Sequence, residues 1–163
     1  MSTPNHGQFV TLGIEREVFA VPVEAVLEIL DMQPICRVPD APPYLLGLID
    51  VRGRSVPTID LRIKLGLAPK PTSEDTRILV LEVAVAGRRL TLGLVADRVF
   101  EVTALDGDGI EPPPDIGTCW RSDHISGIGR RGDEFVILFD LSRLFASEEA
   151  ALLGAPHTTD AAA

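Results

Sequence analysis

The sequence predicts a mainly β fold made of two small closed or nearly closed barrels, and three observations carry that expectation. Val and Ile recur in short runs bounded by Gly, Pro and Asp, which is how strands punctuated by turns are written. One stretch of the chain repeats another, so a single structural unit is used twice. Each copy holds about four or five short strands with turns every 8 to 12 residues or so, and closing such strands into barrels removes exposed edges.

The repeat is direct. Phe19 to Ile29 matches Leu92 to Val102 at an offset of 73, setting Val26 on Val99 and Glu28 on Glu101. Gly47, Leu48, Val56, Ile59, Asp60, Leu61 and Leu65 match Gly127, Ile128, Val136, Phe139, Asp140, Leu141 and Phe145 at an offset of 80. One domain over 8–153 is expected, with duplicated halves at about 8–66 and 77–146 and flexible tails at 1–7 and 154–163.

Each copy opens with an alternating strand, Val10 to Ile14 and then Leu79 to Val85, whose period of two puts one face on a core. Polar turns at Glu15 to Glu17 and Ala86 to Arg89 lead into returning strands, Val18 to Val23 and Leu90 to Val95. A short helical turn is expected over Glu24 to Leu30, from the spacing of three between Val23, Val26 and Ile29. Loops follow at Arg37 to Pro43 and, in the second copy, Glu111 to Pro114, because proline cannot donate to a strand ladder. Leu48 to Val51 and Val56 to Ile59 form a further hairpin closed at Arg52 to Ser55, with Gly53 supplying a positive φ. Its counterpart closes at Arg130 to Asp133. Asp60 and Asp140 are placed to cap short helices, the first ending at Gly66 and the second extending towards Leu153. Gly66 to Asp75 reads as an exposed connector between copies.

At 163 residues the chain suits one domain or two lobes sharing a core, and a globule of this size buries roughly 70% of its unfolded surface. The net charge of −9 and the scatter of Lys and Arg repel phosphate backbones and anionic lipid, so neither nucleic acid nor membrane insertion is expected. Cys36 and Cys119 stand outside any metal-binding spacing and read as two reduced thiols of a cytoplasmic protein. The first eight residues hold no basic lead into an apolar stretch, and no apolar run approaches about 18 residues.

Chemistry is sparse. The chain has no phosphate-binding loop, dinucleotide fingerprint, zincin helix or nucleophile elbow. Of His6, His124 and His157, only His124 falls inside the fold, where it reads as a surface or edge residue. Asp106 to Glu111 resembles a calcium loop but lacks its third acidic position and terminal Glu, so it reads as a hydrated turn. Arg131, Gly132 and Asp133 spell an adhesion tripeptide and read as a turn, while Trp120 reads as a half-buried aromatic. No catalytic, cofactor or metal site is expected. Arg52 reads equally as an ordinary solvated charge or as a fork at a hairpin tip suited to a partner's carboxylate or carbonyl. Val26, Leu27, Ile29 and Leu30 also exceed the needs of one core face; they read first as buried on a barrel mouth, with a contact patch for some of them as the alternative.

At these residues the chain resembles the CheW family. The matching pieces are Phe19 to Val23 with Val26, Glu28 and Ile29; Arg37 to Pro39 with Ala41 and Pro42; Gly47 to Gly53; Val56 to Arg62; Gly93 to Val95 with Asp97 and Val99; and the strand entry at Gly127. The likeness runs from about Phe9 to Leu153. It implies two SH3-like five-stranded β-barrels packed about a shared core, with short helices, a C-terminal helix and no catalytic activity. It also implies two partners. One is the cytoplasmic tip of methyl-accepting chemoreceptors, held in a groove between lobes. The other is the regulatory domain of the CheA histidine kinase, bound end to end in arrays at the membrane. By the same resemblance Arg52, flanked by Gly47 and Gly53, falls on the receptor-linked turn, Val26 and Glu28 on a partner-contact helix, and Val95, Asp97 and Val99 on the corresponding stretch of the second lobe. The family usually carries Asn-Leu where this chain has Asp50 and Val51, a change expected to alter the turn or its charge. A five-stranded barrel could instead hold a small ligand or an oligonucleotide, against which stand the acidity and the few aromatic residues.

Overall fold

The computed structural model describes residues 8–85, 87–105, 110–111 and 124–145. In chain order the strands are β1 (Gln8–Ile14), β2 (Glu17–Pro22), β3 (Val26–Asp31), β4 (Leu45–Val51), β5 (Arg54–Asp60), β6 (Arg77–Val85), β7 (Arg88–Ala96), β8 (Arg98–Ala104), β9 (Ile125–Arg131) and β10 (Glu134–Phe139). Helix α1 (Leu61–Lys64) follows β5 and α2 (Leu141–Leu144) follows β10. Both begin where expected: the carboxylates of Asp60 and Asp140 accept from the backbone N–H of Arg62 and Arg143 respectively, satisfying donors the first turn leaves open.

The strands form two five-stranded sheets, ordered β8-β1-β2-β10-β9 and β3-β6-β7-β5-β4. Substituting β3 for β8, β6 for β1, β7 for β2, β5 for β10 and β4 for β9 turns one order into the other, so both sheets have one topology. The copies are interlocked. The β1 sheet takes its first hairpin from the first half of the chain and its other three strands from the second, and the β6 sheet does the reverse. In each sheet the two halves meet twice, once in a parallel pairing, β2 with β10 or β5 with β7, and once in an antiparallel one, β1 with β8 or β6 with β3; the pairings within a half are all antiparallel.

Edge strands at opposite ends of each order are drawn together by the segment that follows the third strand of the unit. After β3 the chain returns at Cys36 to bridge Leu48 of β4, with both N–H to O distances at 2.8 Å. After β8, Glu111 bridges Ile128 of β9 in the same manner, again at 2.8 Å in both directions. The close approach requires glycine: a Cβ on Gly47 would lie 2.2 Å from the Cys36 carbonyl oxygen, and one on Gly127 would lie 2.6 Å from Ile110 Cγ2.

Packing explains why the opening strands are more hydrophobic than a one-sided strand requires. Both faces of β1 are buried after its first residue. Val10, Leu12, Phe19 and Val21 of one sheet join Leu79, Leu81, Leu92 and Leu94 of the other in a shared core. The rings of Phe19 and Phe139 stack there with centroids 4.9 Å apart, worth about 0.5–1.5 kcal/mol beyond burial. The opposite faces line the interior of each sheet, with Phe9, Val18, Ala20, Val136 and Leu138 in one and Ile49, Val56, Ile78 and Val95 in the other.

Three expectations are corrected. The helical turn over Glu24 to Leu30 is a single 3-10 turn, Val23–Ala25, followed by strand β3. Burial alternates strictly from Val26 to Asp31, so the true period is two and the spacing of three was coincidental. Pairing with β6 captures the segment, leaving Leu27 and Ile29 exposed while Val26 and Leu30 turn inward. The hairpin turn is Arg52 and Gly53 alone, because Arg54 already pairs with Val51. His124, expected as a surface or edge residue, is buried, and its carbonyl accepts from Asp140 N–H at 2.8 Å, tying it to the cap of α2. Tyr44 makes the equivalent bond to Asp60 N–H. Cys119, Trp120, residues 106–109, the prolines at 112–114, the two tails and the extension of α2 towards Leu153 lie outside the described residues.

Candidate functional site: edge strands, a charged hairpin tip and a buried arginine

The sequence-derived site residues divide into two groups. Arg52, Gly53, Gly47, Val26 and Glu28 belong to the two edges of the β6 sheet. Arg52 and Gly53 form a two-residue turn with φ of 54° and 84°, the left-handed pair that a tight hairpin favours. For an arginine that conformation costs about 1–2 kcal/mol, and the turn has local support: the Asp50 carboxylate accepts from Gly53 N–H at 2.8 Å. Asp50 makes this bond as an Asn carbonyl oxygen would. The departure from the family pattern therefore adds negative charge beside Arg52, and the side-chain bond that braces the turn is present.

Arg52 Nη2 reaches Glu28 Oε1 on β3 at 3.4 Å, with the arginine side chain 80% exposed. A pair so solvated contributes about 0–1 kcal/mol to stability, leaving the guanidinium available to a partner. Beside Glu28, Leu27 and Ile29 project from the outer face of β3. Val26 packs on the shared core. Gly47 contributes the backbone approach to Cys36 described above.

The second group is engaged within the fold. Val95 packs inside the β6 sheet and Val99 packs on the shared core. Asp97 lies where the chain crosses from β7 of one sheet to β8 of the other, and its Oδ2 accepts from Glu15 N–H and from Arg62 Nη1, each at 2.9 Å. Arg62 also ion-pairs with the Glu15 carboxylate, and its Nε donates to the Ala68 carbonyl at 2.9 Å. This arginine is buried. Burial works against its charge, but the Glu15 hydrogen bond and the charges of Asp97 and Glu15 outweigh it and hold the guanidinium above its ordinary pKa.

Sequence reasoning missed Arg62 and Glu15 as a unit. Arg62 stands between apolar Leu61 and Ile63 in a four-residue helix, which was the available signal, whereas Glu15 sits in a polar turn and looks solvated. Also missed were Phe100 and Val102, exposed on the outer face of β8. They are the repeat counterparts of Leu27 and Ile29 at the offset of 73, so the two copies present equivalent apolar edge strands.

Asp60, next to this network, carries a testable charge. Burial pushes its carboxyl above the ordinary value, opposed by hydrogen bonds from the Arg62 and Ile63 N–H groups and by the Arg62 charge, with Asp97 adding to the rise. The fold thus binds this proton more tightly than the unfolded chain, so Asp60 favours folding below its unfolded pKa and loses that contribution as pH rises through the folded one. Asp60→Asn keeps the acceptor for Arg62 N–H and removes the titration. Urea unfolding across a pH series should show the variant gaining on the wild type as pH rises from about 4 towards neutrality; a pH-independent difference would contradict the assignment.

Among the described residues no group of three or more His, Cys, Asp or Glu side chains is placed to hold a metal ion, and no helix is long and apolar enough to cross a membrane. The interlocked sheets and their paired edge strands define a duplicated β-barrel domain. The family model of the CheW-like domain matches residues 8–149, and the chain belongs to that family. It is 30% identical over 146 residues to the chemotaxis protein CheW of Klebsiella aerogenes, covering 90% of this chain and 86% of that protein. The chemotaxis protein CheW of Helicobacter pylori is 31% identical over 142 residues, covering 86% and 82%. The crystal structure of the scaffolding protein TtCheW from Thermoanaerobacter tengcongensis superposes with a TM-score of 0.77 at 29% identity, covering 88% of this chain and 94% of that one.

Proposed function

We propose that this chain is a cytoplasmic adaptor that couples methyl-accepting chemoreceptors to the CheA histidine kinase, and that it works by docking with no reaction of its own. The observation that carries this reading is the presence of two repeat-equivalent exposed apolar edge strands on one chain, Leu27 and Ile29 on β3 and Phe100 and Val102 on β8. An enzyme needs one convergent pocket; a coupler needs two separate faces. The faces are also distinct, because only the β3 edge carries the Arg52 and Glu28 pair. Partners can therefore be told apart by charge. The packed interiors of both sheets favour docking on the outside over a ligand held within.

Holding receptor and kinase together raises their effective concentration, and a receptor rearrangement that changes contacts on one face biases the kinase held on the other. Titration of Leu27→Ser, Phe100→Ser and Arg52→Ala variants with a receptor-tip fragment and the kinase regulatory domain tests this. Each edge variant should lose one partner and keep the other. Arg52→Ala should stay folded and weaken receptor coupling by about 1–3 kcal/mol, the range for a hydrogen bond to a charged group. Wild-type protein that binds neither partner, or edge variants that bind both normally, would overturn the reading.

A further inference from the structure

The network around Arg62 occupies one of the two places where the chain crosses between sheets. At the β7 to β8 crossover Asp97 joins Arg62 from α1, which caps the β6 sheet, to Glu15 in the β1–β2 turn of the other sheet. The repeat-equivalent crossover, from β2 to β3, is the 3-10 turn Val23–Ala25. There the counterpart of Arg62 at the offset of 80 is the exposed Ser142, whose hydroxyl donates to Asp140 at 2.8 Å within its own helix cap. A duplicated fold thus carries a partly buried ionic clamp at one crossover and a local cap bond at the corresponding position of the other.

The clamp is also over-determined. Glu15 holds a left-handed φ of 58°, a conformation that persists in a non-glycine residue where surrounding bonds enforce it. Here its N–H is bonded to Asp97 and its carboxylate to Arg62. Arg62 spends Nη1, Nη2 and Nε on three separate chain segments. Any change in the angle between the sheets must break charge-assisted bonds, which are directional and stronger than neutral ones.

We propose that Asp97, Arg62 and Glu15 form a one-sided latch that sets the angle between the two barrels, so that Asp97 acts in partner coupling as a positioning residue and not as a contact. The inference rests on the adaptor reading for its signalling consequence, but the latch itself does not. Without it the β3 and β8 edges remain present, and their relation is set by the shared core alone and held less tightly. Each partner then binds singly, while the transmission of a conformational bias between faces falls.

The test uses the full chain with Cys36→Ser and Cys119→Ser, and spin labels on Ser55→Cys and Phe135→Cys, exposed repeat-equivalent positions on the two sheets. Pulsed dipolar distances are compared with and without Asp97→Asn and Glu15→Gln, changes that keep an acceptor or donor in place and remove charge. A narrow distribution that broadens or moves in the variants is expected; an unchanged distribution in folded variants overturns the latch. A second arm measures receptor-tip and kinase-domain binding singly and together. Single affinities within about twofold of wild type and a loss of cooperativity of about tenfold are expected. Loss of one single affinity with the distance unchanged would make Asp97 a contact residue and refute the proposal. If wild-type protein binds neither partner, the adaptor reading fails and the distances still decide the latch.

Discussion

Gly47→Ala is expected to destabilise the protein by about 3 kcal/mol or more, within the range of large backbone-packing defects. An added Cβ would lie 2.2 Å from the Cys36 carbonyl oxygen and 2.8 Å from both its carbonyl carbon and Ile35 Cγ2. Two of these three neighbours are backbone atoms, so relief requires moving the strand and not rotating a side chain. The strand cannot move freely, because Cys36 and Leu48 exchange two hydrogen bonds across that point. Gly53→Ala provides the control: its φ of 84° is positive but no atom lies within 4 Å of the added carbon, so the cost is confined to about 1 kcal/mol of backbone strain. Chemical denaturation of both variants gives the comparison. Equal, small losses would show that the β3-to-β4 closure yields easily and that Gly47 belongs to a contact surface after all.

Arg62→Ala should cost about 3–5 kcal/mol, as expected when one member of a buried ionic group is deleted. Asp97 would be left largely buried without its cation, and the Ala68 carbonyl would lose its donor. Glu15 is about half exposed and can rehydrate, so most of the loss falls on Asp97. Arg62→Ala combined with Asp97→Asn should recover part of the loss, since the stranded charge is removed. A double variant no more stable than the single one would place the energy in packing of the arginine stem and not in its charge.

Much of the fold was legible because the relevant physics is local. Turn residues at Gly53 and Gly132 and caps at Asp60 and Asp140 each depend on a few adjacent side chains, whereas the one-sided burial read from alternation in β1 does not hold, because both of its faces are covered. The failures have the same explanation. Val23, Val26 and Ile29 fit a helical spacing, and only the ladder with β6 shows that Val26, Glu28 and Leu30 share the inward face. Glu15 and Arg62 are 47 residues apart, and no local pattern announces that a polar turn and a short helix will enclose one ion pair. For the docking surface, the charged tip at Arg52 and the apolar excess on β3 could be read from the chain. The matching edge at Phe100 and Val102 required knowing which face of β8 is left uncovered.

By itself the sequence determined that one β unit occurs twice, where its hairpins turn, and which residues could stand on its exposed corners, because periodicity, capping and turn chemistry act over a few bonds. Tertiary structure alone decided that each sheet borrows three strands from the other copy. Two near-identical units offer nearly identical ladder hydrogen bonds within a copy or between copies, so the choice falls to the shared core, the connector and the crossovers. The same non-local choice bonds Asp97, which the resemblance set on a stretch corresponding to a partner contact, to Glu15 of one sheet and Arg62 beside the other.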